Sequence, residues 1–177
     1  MVPTPLEPAL PAISTTDGER EMLRQFLDFY RAVLARKAHG LSAQQLNTAI
    51  VPSDLTIGGL ILHMTGVEEG WFSQWFLDQP IGPPWDAIDW DADPDWELHN
   101  VDAFAPDEML TMFNNSCERS RQIEAAARSL DEIAARTGDD GRRYSLRWIM
   151  IHMVEEYARH CGHADFIRQA LDGTVGE

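Results

Sequence analysis

Three side chains able to bind a metal ion recur every four residues between His152 and His163. They are His152, Glu156 and His160. On an α-helix, residues four apart lie on neighbouring turns of one face, so two of them can bind the same cation. A complete coordination shell needs at least one ligand from another segment. His63 lies within a second strongly helical segment and is the candidate for this additional ligand. The pattern therefore predicts a metal site between helices.

The direction of each side chain around the last predicted helix separates these candidates. At about 100° per residue, Glu156 lies about 40° from His160, within or beside the apolar stripe. His152 and His163 lie farther round, at the edge of that stripe. A buried, charged and unpaired Glu156 would be costly, and a cation shared with His63 and His160 would compensate it. Three nitrogen and oxygen ligands with an open position suit a catalytic Zn²⁺ site, with nickel, iron or manganese as alternatives.

A structural role explains the same residues without a metal. A core histidine such as His63 is more often hydrogen-bonded than metal-bound. Glu156 could pair with Arg147, with Arg159 or with a residue of another helix. Pairs spaced by four residues also arise by chance, so spacing alone leaves both interpretations open.

Four amphipathic segments predict an all-α four-helix bundle that would position these side chains. They cover residues 17–38, 53–78, 106–135 and 145–171, with Ser53 and Ser145 as N-caps and Gly40 and Gly173 as stops. No segment predicts a strand. The inward stripe of the second helix is predicted to comprise Leu60, Met64, Val67, Trp71 and Trp75, with His63 beside it.

A long connection over residues 80–106 separates the second and third predicted helices. Its three tryptophans, Trp85, Trp90 and Trp96, indicate that it packs against the domain as a cover. Its aspartates resemble the start of a calcium-binding loop, but Pro94 follows where that loop needs glycine, so a solvated loop is expected. Glu68 and Glu69, after His63, are expected to face solvent.

Composition limits the classes of function. The chain has 177 residues, with 29 acidic against 14 basic side chains and a formal charge of −15, which argues against nucleic-acid binding. No apolar run approaches the roughly 18 residues of a membrane span, and the N-terminus does not resemble a signal peptide. Two cysteines make no disulfide framework. We expect a cytoplasmic protein, with a Pro-rich leader over residues 1–16 and a single domain over 17–177.

Three passages resemble the DinB-like superfamily of four-helix metalloproteins. They are Gly-Leu-Ser-Ala-Gln-Gln-Leu at 40–46, the segment around His63 at 60–72, and Leu-Arg-Trp-Ile-Met-Ile-His-Met-Val-Glu-Glu-Tyr-Ala-Arg-His-Cys-Gly-His-Ala-Asp at 146–165. Within that superfamily the sequence is more similar to the actinobacterial branch that includes the N-terminal metal-binding domain of mycothiol-dependent maleylpyruvate isomerase. The resemblance implies that His63, Glu156 and His160 are the metal ligands, the trio that the helical angles also select.

The resemblance further implies a homodimeric S-transferase that uses mycothiol or a similar thiol on an unidentified electrophile. The metal would hold the thiol as its nucleophilic thiolate. Since the sequence ends at Glu177 without the isomerase's additional domain, we expect a transferase rather than an isomerase. Two alternatives remain: a hydrolase using metal-activated water, and a non-catalytic metal-binding or stress-associated bundle.

Overall fold

The computed structural model describes residues 9–176, so the first half of the predicted leader lies outside the described residues. Most of the described chain is helical, as the sequence predicted. The α-helices are α1 (Glu19–Ala38), α2 (Ala43–Leu46), α3 (Ile57–Glu68), α4 (Trp96–His99), α5 (Pro106–Ala126) and α6 (Leu146–Asp172). The other elements are a π-helix (Glu69–Phe76) that continues α3, 3₁₀ turns at Trp85–Ala87 and Val101–Ala103, and strands β1 (Ile133–Thr137) and β2 (Arg143–Ser145).

The core lies between the long helices. α1 packs along α6, α3 packs along α5, and α3 also contacts α6. Each contributes apolar side chains that are almost completely buried, among them Leu34, Leu60, Phe113, Ile149 and Met153. Burial of these amphipathic faces is the main stabilising contribution to such helices.

Several predicted helix ends are confirmed. The Ser145 hydroxyl accepts a hydrogen bond from the Trp148 backbone N–H and caps α6, whose last turn is followed by Gly173 at φ 80°. Gly40, at φ 75°, follows α1. The second long helix differs from the prediction, because its N-cap is Thr56 rather than Ser53. The Thr56 hydroxyl accepts from the N–H of Gly59 at 2.9 Å.

A short hairpin corrects the prediction that no strand is present and that the third helix extends to residue 135. α5 ends at Ala126, and β1 pairs antiparallel with β2. Arg20 helps to end α5, because its guanidinium donates to the carbonyl of Glu124 and, at 3.0 Å, to that of Ala127. β1 reads Ile-Ala-Ala-Arg-Thr, without a strand-like alternation, and it packs on the π-helix. Tertiary contacts therefore decide its conformation.

The inward face of the second long helix is only partly as predicted. Leu60 and Met64 are buried, but Trp71 and Trp75 are half-buried and Phe72 and Phe76 take the core positions. Val67 is also only half-buried. For the two tryptophans the reason is the π-helix, whose i→i+5 hydrogen bonds widen each turn and rotate the residues within it relative to α3.

Glu68 is fully buried, which corrects its predicted position in solvent. Arg31 of α1 binds both of its carboxylate oxygens, at 2.8 and 2.9 Å. The Tyr157 hydroxyl of α6 donates to the same carboxylate at 2.6 Å, and the Cys117 thiol of α5 lies 3.9 Å away. Burial and the nearby Glu68 raise the pKa of Cys117 to about 12, so this thiol stays protonated at neutral pH.

Within residues 9–176, no helix combines the length and the apolar character that crossing a bilayer requires.

Candidate metal centre

Two helices bring the three predicted ligands together. His63 projects from α3, and Glu156 and His160 project from successive turns of α6. One ligand atom from each side chain lies within 4.8 Å of the others. Among residues 9–176, this triad is the one group of three or more His, Cys, Asp or Glu side chains with that spacing. The packing of α3 against α6 creates the arrangement, since His63 is remote from α6 in sequence.

Distances within the triad are compatible with a shared ion. The Nε2 atom of His160 lies 3.2 Å from Glu156 Oε2. Two nitrogen or oxygen ligands of one tetrahedral zinc ion are roughly 3.3 Å apart. The rings of His63 and His160 meet edge to face, with 4.9 Å between their centroids. Both helices therefore place donor atoms around one small volume.

The electrostatic environment keeps His160 available as a ligand. Burial, followed by the effect of His63, lowers the pKa of His160 to about 4. The imidazole is consequently neutral at physiological pH and has a lone pair to donate. The His160 and Glu156 side chains are 12% and 17% exposed, whereas His63 is 35% exposed and reaches the surface.

The other two histidines of α6 lie beside the triad. His152 lies between Trp71 and Trp148, with ring centroids 5.0 and 4.9 Å away. His163 approaches the far side of the His160 ring, with 3.3 Å between the two Nδ1 atoms. Both positions agree with the edge placement expected from the helical angles. His163 can orient His160, and His152 belongs to an aromatic cluster.

The arginines expected as alternative partners of Glu156 are poorly placed or engaged elsewhere. Arg147 pairs with Glu19 at 2.9 Å and also with Asp131. Arg159 lies 3.7 Å from the Glu156 carboxylate and is largely exposed. Ion pairs of this exposed kind contribute little, so Arg159 only weakly compensates Glu156.

A cavity of about 260 Å³ opens beside the triad. His63 and His160 form part of its wall, together with Leu55, Leu60, Pro94, Asp95, Glu97 and Leu98. A larger cavity of about 580 Å³ lies between α1 and α5, away from the triad. Its charged groups, including Asp28, Arg31 and Arg121, are already bound to one another or to Glu68. The smaller cavity is therefore the better candidate for chemistry.

The family model for mycothiol S-transferases matches residues 22–173, which include all six α-helices from the first turn of α1 onward. The chain belongs to the mycothiol S-transferase family. This confirms the resemblance to the actinobacterial branch of DinB-like proteins. No curated protein matches the chain significantly.

Glu97 lies at the candidate metal centre of this mycothiol S-transferase family member, although it was not identified from the sequence. Its carboxylate contacts Nδ1 of His63 at 3.2 Å, and the residue is 9% exposed. It lies on α4, inside the connection that was expected to be a cover without regular structure. One feature of the sequence that could have indicated this contact is the glycine pair Gly58 and Gly59 in α3. Glycine is unfavourable within a helix, so such a pair indicates close contact with another segment.

The rest of the connection behaves largely as predicted. Trp85 is buried against Gly66, and Trp96 packs against Trp85 and Phe104 at centroid distances of 6.0 and 6.2 Å. Trp90 differs, because it is 39% exposed. The aspartates form no metal-binding group within the described residues. Instead, Asp93 contacts His99 at 2.8 Å.

Proposed function

We propose that the chain is a metal-dependent S-transferase that joins mycothiol, or a similar low-molecular-weight thiol, to a small electrophile. His63, Glu156 and His160 would hold the metal. The observation that carries the proposal is their convergence beside an open cavity, in a chain that belongs to the mycothiol S-transferase family.

The donor set fits a divalent transition metal. Two imidazoles and one carboxylate suit Zn²⁺ first, and nickel, iron or manganese next. His160 is neutral, and the Nε2 of His63 remains available because its Nδ1 is engaged by Glu97. The opening beside the two histidines leaves room for an additional small-molecule ligand, as a catalytic site requires.

A bound divalent cation would lower the pKa of a coordinating thiol from about 8.5, so that its sulfur is nucleophilic at neutral pH. In the proposed reaction, the thiol proton leaves to solvent and the sulfur forms a bond to an electrophilic carbon. The bond between that carbon and its leaving group breaks, and the leaving group keeps the electron pair. The products are a thioether, a proton and the free leaving group.

The protein's part in this reaction is to position and shield the reactants. Leu55, Leu60 and Leu98 make the cavity wall largely apolar beside the histidines. An apolar wall excludes water and favours electrophiles with hydrocarbon character. Because Cys117 is protonated and buried, this cysteine would not compete with the thiol cofactor as a nucleophile.

The remaining expectations complete the proposal. Residues 17–177 would form one DinB-like four-helix domain, in which α1, the α3–π segment, α5 and α6 are the four helices. The active unit would be a homodimer in the cytoplasm. Neither nucleic acid nor a membrane would be a partner; the formal charge of −15 supports the first expectation.

The test begins with metal content. Elemental analysis of the purified, untagged chain, before and after chelation and zinc reloading, is expected to give about one equivalent of metal per chain. The zinc-loaded protein is then mixed with mycothiol and 1-chloro-2,4-dinitrobenzene, and thioether and chloride are measured. We expect product to form only with metal present, and glutathione to react less than mycothiol.

Two other results would reject the proposal in different ways. Stoichiometric metal without thiol transfer across a panel of electrophiles would point to a metal-binding protein or a hydrolase, which ester substrates would distinguish. A purified chain without bound metal that also takes up no zinc, nickel, iron or manganese on reloading would reject the site itself.

A further inference from the structure

The connection between the second and third long helices supplies a carboxylate that reaches the triad from outside the two ligand-bearing helices. Glu97 is almost buried, although a buried carboxylate requires a compensating partner. His63 is that partner, at 3.2 Å, and the Glu97 carboxylate has no other hydrogen bond or ion pair within residues 9–176. The contact with His63 is therefore the one interaction among the described residues that accounts for a carboxylate at this buried position.

The atoms involved determine the tautomer of His63. For the carboxylate oxygen to accept a hydrogen bond from His63, Nδ1 of the ring has to carry the proton. A neutral imidazole with Nδ1–H has its lone pair on Nε2. Hydrogen bonds from the second ring nitrogen to a carboxylate orient metal-bound histidines and increase their basicity. Without Glu97, the two tautomers of His63 would compete, and the ring could turn freely at a partly exposed position.

The position of Glu97 is itself determined by close contacts between the connection and α3. A Cβ atom added to Gly59 would lie 2.5 Å from Leu98 Cδ2 and 3.3 Å from Leu98 Cα. One added to Gly58 would lie 2.4 Å from a methyl carbon of Val101. Leu98 follows Glu97 directly. The two glycines thus let α4 approach closely enough for the carboxylate to reach His63.

We propose that Glu97 is a positioning residue that holds His63 as the Nδ1–H tautomer with Nε2 directed to the metal. The connection, rather than only covering the domain, thereby completes the metal centre. This inference rests on the proposed metal site but not on the thiol chemistry.

The experiment compares Glu97→Ala and Glu97→Gln with the unsubstituted chain. Asp95→Asn is the matched control. Asp95 lines the same cavity but does not contact His63, and this substitution also removes one negative charge. Zinc affinity is measured by competition with a chromophoric chelator. The tautomer of His63 is read in the metal-free protein from long-range proton–nitrogen NMR correlations of the histidine rings, assigned with a His63→Gln variant.

We expect Glu97→Ala to weaken zinc binding by about 10- to 100-fold and to abolish the preference for the Nδ1–H tautomer. Glu97→Gln keeps an oxygen acceptor, so it should retain the tautomer and much of the affinity. Asp95→Asn should bind like the unsubstituted chain. If Glu97 only stabilised the fold, Glu97→Ala would keep the Nδ1–H tautomer of His63 as long as circular dichroism shows that the variant is folded.

Equal zinc affinity for Glu97→Ala and the unsubstituted chain would overturn the inference, as would an equal loss in Asp95→Asn. An Nε2–H tautomer in the unsubstituted protein would also overturn it. Each of these results leaves the proposed transferase intact. If the unsubstituted chain binds no metal, the inference and the proposed function fail together.

Discussion

His160 has the most contacts of the three candidate ligands with other potential ligands. Its Nε2 faces Glu156 at 3.2 Å, its Nδ1 faces His163 at 3.3 Å, and its ring packs against His63. Burial and the neighbouring His63 keep its pKa low, at about 4, so protons compete weakly with a metal for this nitrogen at neutral pH. Removal of this one ring should therefore disturb the arrangement of all three candidate ligands.

Replacement of His160 with alanine should abolish stoichiometric zinc binding, because the remaining His63 and Glu156 provide too few donors. His152→Ala should weaken binding modestly at most, since His152 lies beside the triad. Elemental analysis after reloading measures both, with circular dichroism to verify helicity. His99→Ala is the matched control, because His99 is exposed and pairs with Asp93. Full zinc binding by His160→Ala would show that the ligand assignment is wrong.

α3 carries His63 and also packs closely against the connection over residues 80–106. Its glycines receive side chains of the connection, with Leu98 against Gly59, Val101 against Gly58 and Trp85 against Gly66. Each glycine costs roughly 1 kcal/mol of helix propensity relative to alanine. The close approach of the connection is what compensates this cost, and it places Glu97 next to His63.

Gly59→Ala should displace α4 and weaken zinc binding by about tenfold, as loss of the Glu97 contact would. Limited proteolysis should cut the connection faster, since α4 would no longer be held against α3. Gly70→Ala is the matched control, because a Cβ atom there meets nothing within 4 Å. The same zinc affinity in both variants would mean that the close contact at Gly59 does not support the metal centre.

The long helices are joined by a buried polar network around Glu68. Arg31 comes from α1, Glu68 from α3, Cys117 from α5 and Tyr157 from α6. The pairing of Arg31 with Glu68 is what allows both charges to be buried, since an uncompensated buried charge is strongly destabilising. The network thus links the relative positions of the helices that carry the triad.

Arg31→Met should lower the free energy of unfolding by about 3–5 kcal/mol, because it leaves Glu68 buried without its cation. The double variant Arg31→Met/Glu68→Leu should recover much of this loss. Urea unfolding of both, followed by circular dichroism, measures the difference. Arg128→Met is the control: Arg128 is 88% exposed and pairs with Glu132 at 3.5 Å. Such exposed pairs contribute little to the free energy of unfolding. A comparable loss in both single variants would contradict the role of the network.

Local sequence determined the helical character of the chain and the placement of Glu156 and His160 on one helix face. Apolar spacing placed the long helices, and the caps Ser145 and Gly173 placed the ends of α6. The interval of four residues put Glu156 and His160 on one face, which follows from helix geometry alone. Both features depend on interactions between residues close in sequence, so they can be predicted without knowledge of the fold.

Only the tertiary structure decided the features that depend on contacts between distant segments. Glu68 became a core residue because Arg31 reaches it from another helix. The π-helix rotated Phe72 and Phe76 into the core, and β1 formed because β2 and the π-helix lie beside it. Glu97 reaches His63 across 34 positions of sequence. Local propensity is weak enough for such contacts to override it, and spacing along one element says nothing about which distant side chain will meet it.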